Sequence, residues 1–125
     1  MGTACSVRQV VLIVEDEPML LIAASDVVEA AGFDVEVAVD ADAAVRILES
    51  RTDIRIVFTD IDMPGSLDGM KLAACIRDRW PPIDILITSG QKTPALADLP
   101  ARAVFLPKPY RSADVQRILG EMVAS

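Results

Sequence analysis

A chain of 125 residues with 52% hydrophobic and 25% charged residues describes one globular domain, long enough to bury roughly two thirds of its unfolded surface in a single core. Its net charge of −7 argues against a nucleic-acid-binding surface, and the lack of any histidine excludes Ser-His-Asp and Cys-His nucleophiles, imidazole zinc sites and histidine bases. The two cysteines, Cys5 and Cys75, make neither a disulfide framework nor a metal spacing, which fits a reducing cytoplasm.

The first element is an apolar strand over Gln9 to Val14, too short for a signal peptide or a membrane span and broken at once by Glu15-Asp16-Glu17. The start, Met1-Gly2-Thr3-Ala4-Cys5-Ser6, matches a myristoylation pattern so short that it carries no weight. Pro18 suits the first position of a helix running to about Ala31, which Gly32 ends. Asp34 to Val39 alternates acid with Val and Ala, as an edge strand does, and Asp40 begins a helix with Ala44, Ile47 and Leu48 on one face, ending near Arg51.

Ile54, Ile56, Val57 and Phe58 form a buried strand that Pro64-Gly65 stops, so Asp60 is expected where the strand emerges from the sheet. Asp68 caps a helix carrying Leu72, Cys75 and Ile76, and Trp80-Pro81-Pro82 cannot continue it. Asp84 to Thr88 and Ala103 to Leu106 are the remaining strands. Between them, Pro94 and Pro100 leave Ala95 to Leu99 room for a turn or two of helix. Ser112 is expected to cap a closing helix whose Val115, Ile118, Leu119 and Met122 keep the spacing of a packed face. Five strands, each followed by a crossover, predict an α/β fold: a doubly wound parallel sheet forming a single domain over 1–125, with its core at about 8–123.

In such a sheet, chemistry collects outside the carboxyl ends of the strands. Glu15 and Asp16 follow the first strand, Asp60 the third, Thr88 ends the fourth and Lys108 follows the fifth. Singly each has a plain structural role: the acidic triplet favours the positive end of the helix behind Pro18, Asp60 makes a turn, Thr88 is a strand hydroxyl and Lys108 a surface lysine. Together they require compensation, because two carboxylates about 4 Å apart repel by roughly 4 kcal/mol at an effective dielectric near 20. A divalent ion and one lysine supply it. Magnesium suits the donors, with Asp16 and Asp60 as direct ligands, Glu15 acting through a water and the Asp62 carbonyl as a further oxygen. With its charge neutralised, Asp60 can become an acyl phosphate, with Lys108 and the Thr88 hydroxyl holding phosphate oxygens.

Four segments then resemble the receiver domains of two-component response regulators: Val11-Leu12-Ile13-Val14-Glu15-Asp16-Glu17-Pro18, Asp60 with Met63-Pro64 and Asp68-Gly69, Thr88-Ser89-Gly90, and Lys108-Pro109. The resemblance spans about Arg8 to Val123. It implies a flavodoxin-like strand order 2-1-3-4-5 and phosphorylation of Asp60 by a histidine kinase or phosphotransfer protein. It also implies Glu15 and Asp16 as the acidic metal pair, Thr88 as a switch hydroxyl, Phe105 as the aromatic that swings inward, and a cis bond before Pro109. Core packing remains the other reading of Phe105.

Departures from the pattern are an extra residue between Met63-Pro64 and Asp68-Gly69, the additional acid Asp62, the small Gly90, Pro107 before Lys108 and a short or irregular fourth helix. The expected output is therefore read through the 91–99 loop and the closing helix. With that helix ending the chain, a free-standing cytoplasmic switch acting in trans is expected, rather than a turnover enzyme. Two readings from other classes stand beside it. Asp60-Ile61-Asp62 also resembles the nucleophile motif of haloacid-dehalogenase-type phosphatases, although that motif follows a first strand and not a third; the other is a phosphorylation-independent binding module.

Overall fold

All five residues of β1 (Val10–Val14) are buried, because this strand lies inside the sheet and is covered on both faces. In the computed structural model, which describes residues 8–62, 68–90 and 93–124, Val11 and Ile13 enter one apolar cluster while Val10, Leu12 and Val14 enter the other. The chain continues through α1 (Pro18–Ala30), β2 (Asp34–Ala38), α2 (Ala41–Ser50), β3 (Ile54–Asp60), α3 (Gly69–Arg79), β4 (Asp84–Ser89), β5 (Ala103–Pro107) and α4 (Ser112–Ala124). The strands pair in parallel in the order β2-β1-β3-β4-β5, the order the resemblance implied. One cluster seals the sheet against α2 and α3, the other against α1 and α4.

Local chemistry explains the boundaries. Pro18 opens α1, and after Ala30 the chain turns through Gly32 at φ 96°, a left-handed conformation that favours glycine. The Asp40 carboxylate accepts from the Ala43 amide at 2.8 Å and Asp68 from Lys71 at 2.9 Å, each satisfying an otherwise unpaired helix N–H. Ser112, expected as a cap, is instead the first residue of α4: the Arg111 carbonyl accepts from Asp114 and Val115, so Arg111 holds the capping position. Among the described residues, a single 3-10 turn at Leu96–Asp98 stands where a helix between β4 and β5 was expected to be short.

Two features escaped the alternation pattern. The β1–β3 register shifts at Val10/Val11, opposite Ile54 and Ile56, so Arg55 is an inserted residue and the strand changes face there. Ile54 consequently joins the α2/α3 cluster and Ile56 the α1/α4 cluster. Arg55 donates to Asp84 at 2.5 Å and to the Met122 carbonyl at 2.8 Å, while Arg102 donates to the other Asp84 oxygen at 2.9 Å. This clamp joins the starts of β3, β4 and β5 to the end of α4. It also holds Arg102 at φ 63°, a conformation disfavoured for side chains other than glycine, asparagine and aspartate.

Candidate functional site

β3 carries Asp60 to the carboxyl edge of the sheet, two residues beyond the apolar run, because Thr59 and Asp60 still pair with the neighbouring strands. Thr88 is its register partner on β4, and the Ile61 amide donates to the Thr88 carbonyl at 2.9 Å. The Gly69 amide donates to the Ile61 carbonyl, and a Cβ on Gly69 would lie 2.3 Å from the Asp60 carbonyl oxygen. Only glycine lets the first turn of α3 rest on the peptide that carries Asp60.

Asp60 is 4% exposed, and each of its oxygens has a donor: the Asp62 amide at 2.8 Å and the Lys108 ammonium at 2.5 Å. The same ammonium lies 3.6 Å from Glu15, whose other oxygen accepts from the Glu17 amide at 3.0 Å. Burial pushes the Glu15 carboxyl above its usual range, only partly opposed by the Glu17 amide and Lys108. Burial alone would lower Lys108; the hydrogen bond and charge of Asp60, with Glu15 adding to them, outweigh it and raise the ammonium above its usual range. The peptide between Lys108 and Pro109 is cis, as the resemblance implied.

Thr88 is 3% exposed, and its hydroxyl finds no hydrogen-bond partner among the described residues. It borders a cavity of about 10 Å³ shared with Glu15, Asp60, Phe58 and Tyr110. Phe105 lies elsewhere. It is half-buried and packs against the cluster on the α2/α3 side, whereas the Thr88 cavity opens among residues of the α1/α4 side. Two rings border that cavity with Thr88, Phe58 and Tyr110, with centroids 5.9 Å apart. Tyr110 was not singled out from sequence, though its place two residues after Lys108, across the turn at Pro109, was a usable signal.

Of the expected acidic cluster, the structure draws Glu15 and Asp60 together, around Lys108, and leaves Asp16 exposed. Among the described residues no three His, Cys, Asp or Glu side chains converge as a metal-binding group. Asp62 is half-buried and its carboxylate accepts from Ser89 Oγ at 2.7 Å, a partner the sequence reading missed because nothing local links the two. The turn at Met63-Pro64-Gly65, with its extra residue, and Gln91 at the start of the 91–99 loop lie outside the described residues, as do Met1 to Ser6 with Cys5. No helix among the described residues is long and apolar enough to cross a membrane.

Comparison with known proteins gives a consistent picture. The family model described as response regulator receiver domain matches residues 11–119. The nitrogen assimilation regulatory protein NtrX of Azorhizobium caulinodans is 30% identical over 106 residues, covering 82% of this chain and 23% of that protein. The response regulator protein FleR of Pseudomonas aeruginosa is 35% identical over 80 residues, covering 64% of this chain and 16% of its own length. The chain thus spans a quarter or less of these curated relatives. A response regulator receiver protein from Sinorhizobium medicae superposes with a TM-score of 0.85 at 26% identity, covering 94% of this chain and 96% of that one. TrrA of Thermotoga maritima, solved in complex with Mg(2+)-BeF, gives 0.82 at 20% identity, covering 91% and 98%, a likeness of fold.

Proposed function

Because this chain belongs to the response regulator receiver domain family, we propose that Asp60 is a phosphoacceptor, charged by a histidine kinase or a histidine phosphotransfer protein. The observation that carries this reading is the buried Asp60 carboxylate 2.5 Å from the Lys108 ammonium, with the Thr88 hydroxyl, unpartnered among the described residues, on the adjacent strand. The chain acts as a cytoplasmic signalling switch, whose only chemistry is its own phosphorylation and dephosphorylation.

In the transfer, an Asp60 oxygen forms a bond to phosphorus while the bond from phosphorus to the donor imidazole nitrogen breaks, its electron pair leaving with the imidazole. Lys108, already paired with that carboxylate, turns its ammonium to a phosphoryl oxygen, so the site keeps a cation at the position where negative charge grows. The Thr88 hydroxyl, buried with no acceptor among the described residues, gains a second phosphoryl oxygen as its acceptor. Movement of Thr88 changes the cavity it shares with Tyr110, which links the phosphoryl group to the start of α4.

The donors present are all hard oxygens, which fits magnesium. Asp16, Asp60 and the Asp62 carbonyl are the groups that would hold it, with Glu15 acting through a water. Bound there, the ion supplies charge neutralisation for the carboxylate and the incoming phosphoryl group. The donor protein meets an apolar rim beside the site. Met19, Leu20 and Ile22 of α1 are 73%, 44% and 58% exposed, and Leu20 borders a groove of about 520 Å³ that reaches Lys108 and Tyr110.

Phosphotransfer in magnesium from a labelled small acyl phosphate tests the reading. The expected result is a hydroxylamine-labile label on the wild type and none on Asp60→Asn. Turnover of phosphomonoesters would instead support a phosphatase, and neither activity would leave a binding module.

A further inference from the structure

The contacts around Asp60 close on themselves. The Asp62 amide donates to one Asp60 oxygen at 2.8 Å, and Ser89 Oγ donates to the Asp62 carboxylate at 2.7 Å. The Ser89 carbonyl accepts from the Lys108 amide at 2.9 Å, and the Lys108 ammonium returns to the other Asp60 oxygen at 2.5 Å. Four residues from three strand ends form one ring. Three of its links involve the backbone or the Asp60–Lys108 pair. The fourth, between the Ser89 hydroxyl and the Asp62 side chain, ties Asp62 to the end of β4, one residue beyond the bond from the Ile61 amide to the Thr88 carbonyl.

We infer that Ser89 is a positioning residue for phosphoryl transfer, acting on Asp60 through Asp62. Ser89 is 2% exposed at the last position of β4, where the ladder with β5 fixes its backbone, so its hydroxyl is a rigid anchor. Asp62 is half-buried on a loop that has left the sheet. Tying its carboxylate to Ser89 fixes the loop backbone, which aims the Asp62 amide at Asp60. It also parks a negative charge on a hydroxyl donor, away from the position an anionic phosphoryl group must enter. Without the hydroxyl, the Asp62 side chain loses this tie to β4 and its amide is aimed less closely at Asp60.

This rests on Asp60 being the phosphoacceptor, and the test separates the two claims. The wild type, Ser89→Ala, Asp62→Ala, the double variant and Asp62→Asn are labelled with a small acyl phosphate in magnesium, with Trp80 fluorescence reporting thermal unfolding. Ser89→Ala is expected to lower the maximal labelling rate about tenfold, the scale of one hydrogen bond to a charged group, with half-saturation by the donor unchanged. Asp62→Ala gives the same loss and the double variant no more than either, because the two side chains act as a unit. Asp62→Asn, which keeps an acceptor oxygen for Ser89, retains most of the rate. A silent Ser89→Ala, or an undiminished tenfold loss when it is added to Asp62→Ala, overturns the inference. A wild type that takes no label overturns the assignment of Asp60 itself.

Discussion

Thr88 stands directly opposite Asp60 across the β3–β4 ladder, with its hydroxyl buried and without a partner among the described residues. A buried hydroxyl left unpaired costs about 1–3 kcal/mol, so the unphosphorylated fold carries a penalty at the position where a phosphoryl oxygen would relieve it.

Replacement by the near-isosteric Thr88→Val removes that penalty. Urea unfolding followed by Trp80 fluorescence is expected to show a gain of about 1 kcal/mol. In the same variant the phosphorylation-induced change in amide exchange around Tyr110 and α4 disappears. A variant both less stable and still switching would remove Thr88 from the mechanism.

Lys108 compensates two buried carboxylates, and its side chain is 22% exposed. Losing one partner of a fully buried pair costs about 3–5 kcal/mol, and the partial exposure here reduces the expectation for Lys108→Ala to about 2 kcal/mol. Adding Asp60→Asn to that variant should recover part of the loss, since one unpaired charge is removed. Magnesium affinity, read by titration calorimetry, should persist in Lys108→Ala while the phosphorylation-induced change is lost.

Gly69 contributes by having no side chain. The methyl of Gly69→Ala would lie 2.3 Å from the Asp60 carbonyl oxygen, so either α3 or the acceptor peptide must move. The expected cost is about 2 kcal/mol of stability, and slower labelling of Asp60 from a small acyl phosphate. Labelling at the wild-type rate would mean that α3 yields and the acceptor does not.

Acid sensitivity arises at the opposite edge of the sheet. Burial alone would raise Asp84, but hydrogen bonds from Arg102 and Arg55, with their charges, outweigh it and hold the carboxyl below its usual range. A depressed carboxyl contributes stability that is fully present above the unfolded-state value, near pH 4, and is lost as pH falls through the lower folded-state value. Asp84→Asn is therefore expected to be less stable than the wild type at pH 7, by about 1–3 kcal/mol. Measured by chemical denaturation, that gap should narrow as pH falls below about 4.

Much of the architecture follows from local chemistry. The switch between strand and helix periods, the caps at Asp40 and Asp68, Pro18 at a helix start and Gly32 at a helix end set five strands and their crossovers, and with them the edge where Asp60, Thr88 and Lys108 emerge. The central strands are legible as short continuous apolar runs because helices cover both faces of the sheet, and only the edge strand β2 alternates. The parallel order then places strand ends together whatever the loops contain.

Side-chain direction and partnership were decided only in three dimensions. The inserted Arg55 reverses which residues of β3 face α1, and no local pattern announces such a shift. Phe105 and Thr88 are close in the sheet yet serve opposite faces, so the rings that share the Thr88 cavity are Phe58 and Tyr110. Ser89 meets Asp62 across 27 residues of chain, and Lys108 gathers Glu15 and Asp60 but not Asp16. The amino-acid order alone determined which strand ends bear acid, hydroxyl and ammonium, since periodicity is a property of neighbours. Tertiary packing chose which of those groups touch, because register, bulges and the reach of one buried cation act between segments far apart in the chain.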